Sequence, residues 1–237
     1  MLKNYSPGWF ARTFGGAKRK HAELSDAIAK ARATDDRLHA EAAENVGRRR
    51  AEIAFAKTLM SGDGEAAKAA LNRHADFGAV GVEALRFVFS DDRTIAVANG
   101  FELDDLPSNS VTQLKSGKAS VKPLSGRRLR ELHRDNVCSS AIRIAVEALK
   151  ALPLDSVDVV VQSDVLDRGS GHIEARPVFY CRFAAQALSN VNLTRVEPAP
   201  AAEHLGAHFD YTARDGMRPI DVGQFGLSDV ILNSDEP

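Results

Sequence analysis

The segment from Ser125 to Gln162 constrains the fold more than any other part of the chain. A long helical pattern runs into the break Pro153-Leu154-Asp155 and then into the apolar run Val157-Asp158-Val159-Val160-Val161. At 100° per residue, Val137, Cys138, Ala141, Ile142, Ile144, Ala145, Ala148, Leu149 and Leu152 cover more than half of the helix circumference. Asn136, Ser139, Ser140, Arg143, Glu147 and Lys150 hold a narrow polar stripe opposite. An apolar arc this wide predicts burial against a sheet on more than one side. Traced backward by threes and fours, the core sector leads through Ala141 to Arg134, Arg130 and Arg127, so the core-facing side turns basic over its first turns. Arginines near a helix start oppose the macrodipole, by about 0.3–1 kcal/mol each, and call for an offsetting partner.

Strand patterns lie on both sides of this helix. Ala84 to Phe89 and Thr94 to Ala98 flank the polar turn Ser90-Asp91-Asp92-Arg93, the pattern of a hairpin. Short extended pieces at Val111 to Leu114 and Ala119 to Val121 bracket Gly117. After Val157 to Gln162, a polar turn at Asp164 to Gly171 leads to a second hairpin strand, His172 to Phe183. Helical turns are expected at Ala184 to Leu188 and Ala201 to His208. The order is ββ(β)αββα, an α+β domain over residues 80–222 in which one long helix covers an antiparallel sheet.

The N-terminal third has a different character. Residues 1–16 form an arm in which Tyr5, Trp9 and Phe14 alternate with Lys3 and Arg12, and Lys18, Arg19 and Lys20 follow it. Such an arm suits docking on protein or stacking on bases. From Ala17 to Met60 there is no proline, and alanine, lysine, arginine and glutamate dominate, as in a long helix. Leu24, Ile28, Ala31, Leu38 and Ala42 follow alternating steps of four and three, with Asp35, Asn45 and Arg49 interrupting the seam. After the turn Ser61-Gly62-Asp63-Gly64, a shorter helix to Phe77 completes a helical hairpin or weak coiled coil over 17–78. With few large residues on its seam, this region calls for a protein partner, and self-association is a natural one. An acidic tail, 223–237, ends the chain.

Composition narrows the function classes. A net charge of −1 over 237 residues gives no global pull toward polyanions, so any such affinity must be local. No apolar run approaches the ~20 residues of a membrane span and no secretory signal opens the chain, so a cytoplasmic protein is expected. Cys138 and Cys181 stand in apolar settings as buried thiols.

The segments CSSAIRIAVEALKALPLDSVDVVV, DRGSGHIEARPVFYCRF and NVNLTRVEPAPAAEHLGA resemble an α/β region that follows charged coiled-coil segments in bacterial proteins, some with restriction-endonuclease-type labels. The resemblance covers roughly 80–222 and is one of pattern. It implies a bacterial cytosolic protein in a DNA-linked or defence-linked setting.

Among candidate sites, the basic cluster Lys115, Lys118, Lys122, Arg127, Arg128, Arg130 and Arg134 is the strongest. Lysines leading into a helix N-terminus allow backbone N–H groups and arginine forks to converge on phosphate in a sheltered concavity. The plainer reading is a solvated loop and helix end. The alternative is a nuclease-like hydrolase in which Asp164 and Glu174 hold a divalent metal, although Arg176 stands where such sites carry a lysine and cannot act as a base. His204 and His208 have ligand spacing on a helix, but lack the glutamate of a zinc peptidase. His133-Arg134-Asp135-Asn136 lacks the downstream asparagine of a kinase loop. No Walker, GxGxxG, GxSxG or CxxC motif occurs. The expectation is an assembly or adaptor protein with nucleic acid or another polyanion as ligand, without cofactor or metal, in preference to an enzyme.

Overall fold

The computed structural model describes residues 16–78, 80–90, 92–166, 169 and 171–227. The aromatic arm and residues 228–237 of the acidic tail lie outside the described residues. The chain divides into two compact units, Met1–Lys57 and Thr58–Pro237.

The first unit is built on helix α1, which runs from Gly16 to Met60. Alanine-rich, proline-free sequence and i,i+4 pairs such as Arg19–Glu23 (3.2 Å) and Arg37–Glu41 (3.8 Å) favour the helix locally. Gly62, with φ +82°, takes the left-handed position just beyond its end, where a Cβ would be strained. Leu38, Val46 and Ile53 on α1 are 53%, 49% and 57% exposed, while Leu24 and Ile28 nearer its start are half-buried.

The second unit is α+β, as its pattern predicts. It opens with α2 (Gly64–His74), whose N-cap Asp63 accepts from the Ala66 N–H at 2.7 Å. Ala66, Ala67, Ala70 and Leu71 are buried where α2 meets the long helix α3 (Gly126–Ala151). The short helix thus belongs with the sheet domain, and the expected division near residue 78 falls instead at 57/58.

Six strands form the main sheet: β1 (Val82–Phe89), β2 (Thr94–Gly100), β5 (Ser156–Leu166), β6 (Ile173–Ala184), β7 (His208–Thr212) and β8 (Gly216–Arg218), in the order β1-β2-β5-β6-β7-β8. Two further strands, β3 (Asn109–Gln113) and β4 (Ala119–Pro123), make a separate ribbon between β2 and α3. The sheet is antiparallel except between β2 and β5, which are parallel with Val97 opposite Val160. Joining two hairpins through a helix imposes this, because a return by crossover brings the next strand in the same direction. The expected antiparallel sheet holds at every pairing among the described residues but this one.

Alternation divides the core between two faces. Val157, Val159, Val161, Phe179, Cys181 and Phe183 are completely or almost completely buried on the face that α3 covers. On the other face, Ile95, Val97, Val160 and Tyr180 cluster with Val222 and Leu227. The segment after β8 forms this cover: the Ile220 N–H donates to Pro177 at 2.8 Å, and Phe225 stacks on Tyr180 with centroids 4.1 Å apart. Phe225 and Leu227 therefore belong to the core and not to an acidic tail.

The polar stripe of α3 is itself partly covered. Ser140 donates to the Val80 carbonyl at 2.6 Å, and Glu147 accepts from the Asp76 N–H at 3.2 Å while pairing with Arg143 and Lys150. Helix α4 (Ala185–Ser189) follows β6, and α5 (Pro198–His204) follows α4. The helix expected over Ala201 to His208 starts earlier, with Pro198 in its first turn, and stops at His204. Gly206, at φ +84°, redirects the chain into β7. No helix among the described residues is long and apolar enough to cross a membrane.

Candidate nucleic-acid interface

The sequence from Leu106 to Arg130 contains no acidic residue, and the structure folds its first part into the β3–β4 ribbon. Val111 pairs with Val121 and Asn109 with Pro123, so the register follows from a short turn. The Gly117 N–H donates to Leu114 at 2.9 Å, and the Leu114 N–H to Lys118 at 2.8 Å. Gly117, at φ +80°, supplies the left-handed residue that a tight hairpin needs there. At the base, the Leu124 N–H donates to the Ser108 carbonyl at 2.8 Å.

The ribbon buries almost nothing. Val111 and Val121 are 69% and 61% exposed, and Leu114 is also exposed. A two-stranded ribbon without a packed face is marginal in water. Lys115, Lys118 and Lys122 make no ion pair or hydrogen bond through their side chains among the described residues, and the exposed valines share the face opposite Lys122. The surface therefore offers mobile cations together with apolar groups.

The arginines do not meet in one concavity. Arg127 and Arg128 share Glu131, at 3.0 and 3.1 Å, and their hydrogen bonds hold that carboxyl below its ordinary pKa, Arg128 contributing most. Two guanidiniums on one carboxylate leave a positive surplus beside the ribbon. Arg130 and Arg134 turn the other way, toward the β7–β8 hairpin. Arg130 Nε donates to the Ala213 carbonyl at 2.9 Å, with its stem against Gly216. Arg134 pairs with Asp135 at 2.7 Å and lies over the Tyr211 ring. This is the offset that basic residues on the core-facing side of α3 require. At the helix start, Ser125 accepts from the Arg128 N–H at 3.3 Å, so the N-cap is filled.

The carboxylates of the alternative reading fall apart geometrically. Asp164 pairs with Ala175 and Val165 with Glu174, which puts Asp164 and Glu174 on opposite faces of the sheet. Glu174 instead pairs with Arg176 at 2.8 Å. His204 ends α5 while His208 begins β7, so the helical spacing of these imidazoles does not exist. Among the described residues, no group of three or more His, Cys, Asp or Glu is placed to hold a metal ion.

A polar cleft of about 410 Å³ includes Asp63, Asp92, Arg93, Asp158 and Arg182. Its charged groups are largely engaged with the protein itself. Arg93 donates to the Phe225 carbonyl at 3.0 Å and pairs with Asp92, Arg182 donates to Ser156, and Asp158 accepts from Tyr180 at 3.0 Å. A second cleft, of about 560 Å³, has Ile142, Val146, Leu193 and Val196 beside Arg143 and Glu147, an ion pair already closed on itself. In the first cleft the Ser90 hydroxyl, within 3.1 Å of both, lies against the Asp92 carboxylate and the Arg93 carbonyl, closing the turn between β1 and β2. The sequence signal missed at this end of the molecule is Ala213-Arg214-Asp215-Gly216, whose glycine at φ +82° turns β7 into β8. Comparison with protein-family models, curated proteins and solved structures finds no match to the chain.

Proposed function

We propose that this chain is a bacterial cytoplasmic assembly or adaptor protein, in which α1 associates with itself or a protein partner and the α+β unit grips a nucleic-acid backbone. The observation that carries the reading is the acid-free ribbon, with Lys115, Lys118 and Lys122 unpaired among the described residues and Arg127 and Arg128 in surplus over Glu131. Cations on a projecting β-ribbon follow phosphates, and the exposed Val111 and Val121 suit contact with sugar or base edges in a groove. Neutralising phosphates releases counterions, so binding depends on salt rather than on a deep pocket. The DNA-linked or defence-linked setting comes from the resemblance over 80–222.

The test is an electrophoretic mobility shift with duplex DNA at several salt concentrations. The triple variant Lys115→Ala/Lys118→Ala/Lys122→Ala and the double variant Arg127→Ala/Arg128→Ala are compared with the parent. The expected result is weaker binding and a log–log salt slope shallower by about 0.9 per lost phosphate contact. Absence of binding by the parent, or equal affinity in both variants, rejects the reading.

A further inference from the structure

We infer that the β3–β4 ribbon enters the major groove of duplex DNA with its uncharged face against the bases, where it selects A·T pairs. This deepens the backbone reading proposed above and rests on it.

Register sorts the ribbon into two unlike faces. Asn109, Val111 and Gln113 stand opposite Pro123, Val121 and Ala119, and these six side chains share one face. All six are exposed, and none is charged. On the other face Ser110 and Thr112 stand opposite Lys122 and Ser120, and both serines are half-buried. The Leu114 N–H bonds to Lys118 and the Leu124 N–H to Ser108, so the hydrogen-bonded pairs carry the serine face. The uncharged face is made of the other pairs, whose side chains stand closer together. Val111 and Val121 thus form one apolar knob with Cβ atoms ~5 Å apart.

Size and chemistry select the groove. The ~12 Å major groove of B-DNA admits a two-stranded ribbon as it stands, whereas the ~6 Å minor groove must first be opened and has no methyl group for the valines to meet. With Val111 and Val121 seated on the bases, the opposite face lies at the groove mouth, level with the phosphates. Lys122 and the turn residues Lys115 and Lys118 reach the rim from there on flexible stems, and Arg127 and Arg128 follow at the ribbon base.

The bases are chosen by what the inner face offers. Carboxamides pair with adenine N6 and N7, and apolar side chains pack on the thymine methyl. Guanine calls for arginine or lysine and cytosine for a carboxylate, and this face has neither. Gln113 makes no side-chain hydrogen bond among the described residues, and Asn109 Nδ2 donates to the exposed Ser108 hydroxyl at 3.3 Å, a contact open to exchange with water. Four residues at ~3.4 Å each separate the two carboxamides, so they span about four base pairs with the valines between them.

Competition binding by the full chain, read by fluorescence anisotropy on duplexes of equal length, tests this. One duplex has an A·T centre of mixed order and one a G·C centre. Two further A·T duplexes carry uracil for thymine or 7-deazaadenine for adenine, changes confined to the major groove. The expected result is a preference of about fivefold or more for A·T over G·C, reduced by either replacement. Asn109→Ala/Gln113→Ala should remove the sensitivity to 7-deazaadenine, and Val111→Ala/Val121→Ala the sensitivity to uracil, both keeping the parent's salt slope. Equal affinity for all four duplexes overturns the base reading and leaves the backbone reading standing. An A·T preference indifferent to both replacements puts the ribbon in the minor groove and overturns the inference in the same way. A parent chain that binds no duplex removes both readings.

Discussion

The Arg134 guanidinium carbon lies 4.8 Å from the centroid of the Tyr211 ring, joining the first half of α3 to a strand almost eighty residues later. Beside it, Arg130 reaches Ala213 in the β7–β8 turn. These two members of the basic cluster hold the hairpin against the helix. Arg134→Ala and Arg130→Ala should each lower unfolding free energy by about 1–2 kcal/mol, from a partly desolvated cation–π contact and a charge-assisted hydrogen bond respectively. Hydrogen exchange should quicken first in β7 and β8. Ribbon variants at Lys115, Lys118 and Lys122 should leave stability within about 0.5 kcal/mol of the parent, as exposed substitutions do. Equal losses for both groups in urea denaturation would contradict this division.

Glu147 is buried on α3, yet its pKa is lowered. Desolvation raises it, but the Asp76 N–H and the Lys150 and Arg143 cations outweigh that effect. A lowered folded pKa gives stability that is present above the unfolded value and lost as pH falls through the folded one. Glu147→Gln should therefore cost about 1–3 kcal/mol at pH 7 and progressively less in acid, measured by denaturation at several pH values.

His133 is buried, its ring hydrogen-bonded to the Phe101 backbone and its Nε2 without a partner among the described residues. Burial lowers its pKa, so the unfolded chain takes up a proton at higher pH than the native one does. Stability should be full above the ordinary histidine pKa of about 6.5 and should fall as pH drops from there, at no more than about 1.4 kcal/mol per pH unit for this one group. His133→Gln should flatten that portion of the stability curve. An unchanged slope above pH 5 would assign the acid sensitivity to other groups.

Both cysteines are completely buried, and burial pushes each thiol up to about 12. The thiolate is then absent at pH 8, and a thiol reagent reaches neither sulfur without opening of the fold. Native protein should stay unmodified over the time in which urea-unfolded protein reacts at both positions. Fast labelling of folded protein would show that α3 or β6 opens locally.

The long periodicities were legible in the residues. The arc from Val137 to Leu152 foretold a helix covered on several sides, and alternation marked both central hairpins. Neighbour relations were not legible, because a strand's pattern reports how deeply it is buried and not which strand lies beside it. The parallel β2–β5 pair and the opposite facing of Asp164 and Glu174 depend on register. Strands β7 and β8 are too short for a clear alternation, and the run before Gly206 continued a helical reading past its real end. Within the basic cluster, all seven positions read alike as charge. What separates Arg130 and Arg134 from the lysines is a carbonyl and a ring supplied by distant sequence.

The parallel pairing of β2 with β5 also bears on the order in which the molecule comes together. Each flanking hairpin closes over a short loop, but Ile95 can meet Asp158 only after the whole intervening segment has looped back. That distant closure carries the larger entropic toll and should gate the rate of folding. The ribbon sits inside the gated loop while adding nothing to the sheet. Its length can thus change without disturbing the sheet, altering how fast the chain matures more than what it matures into.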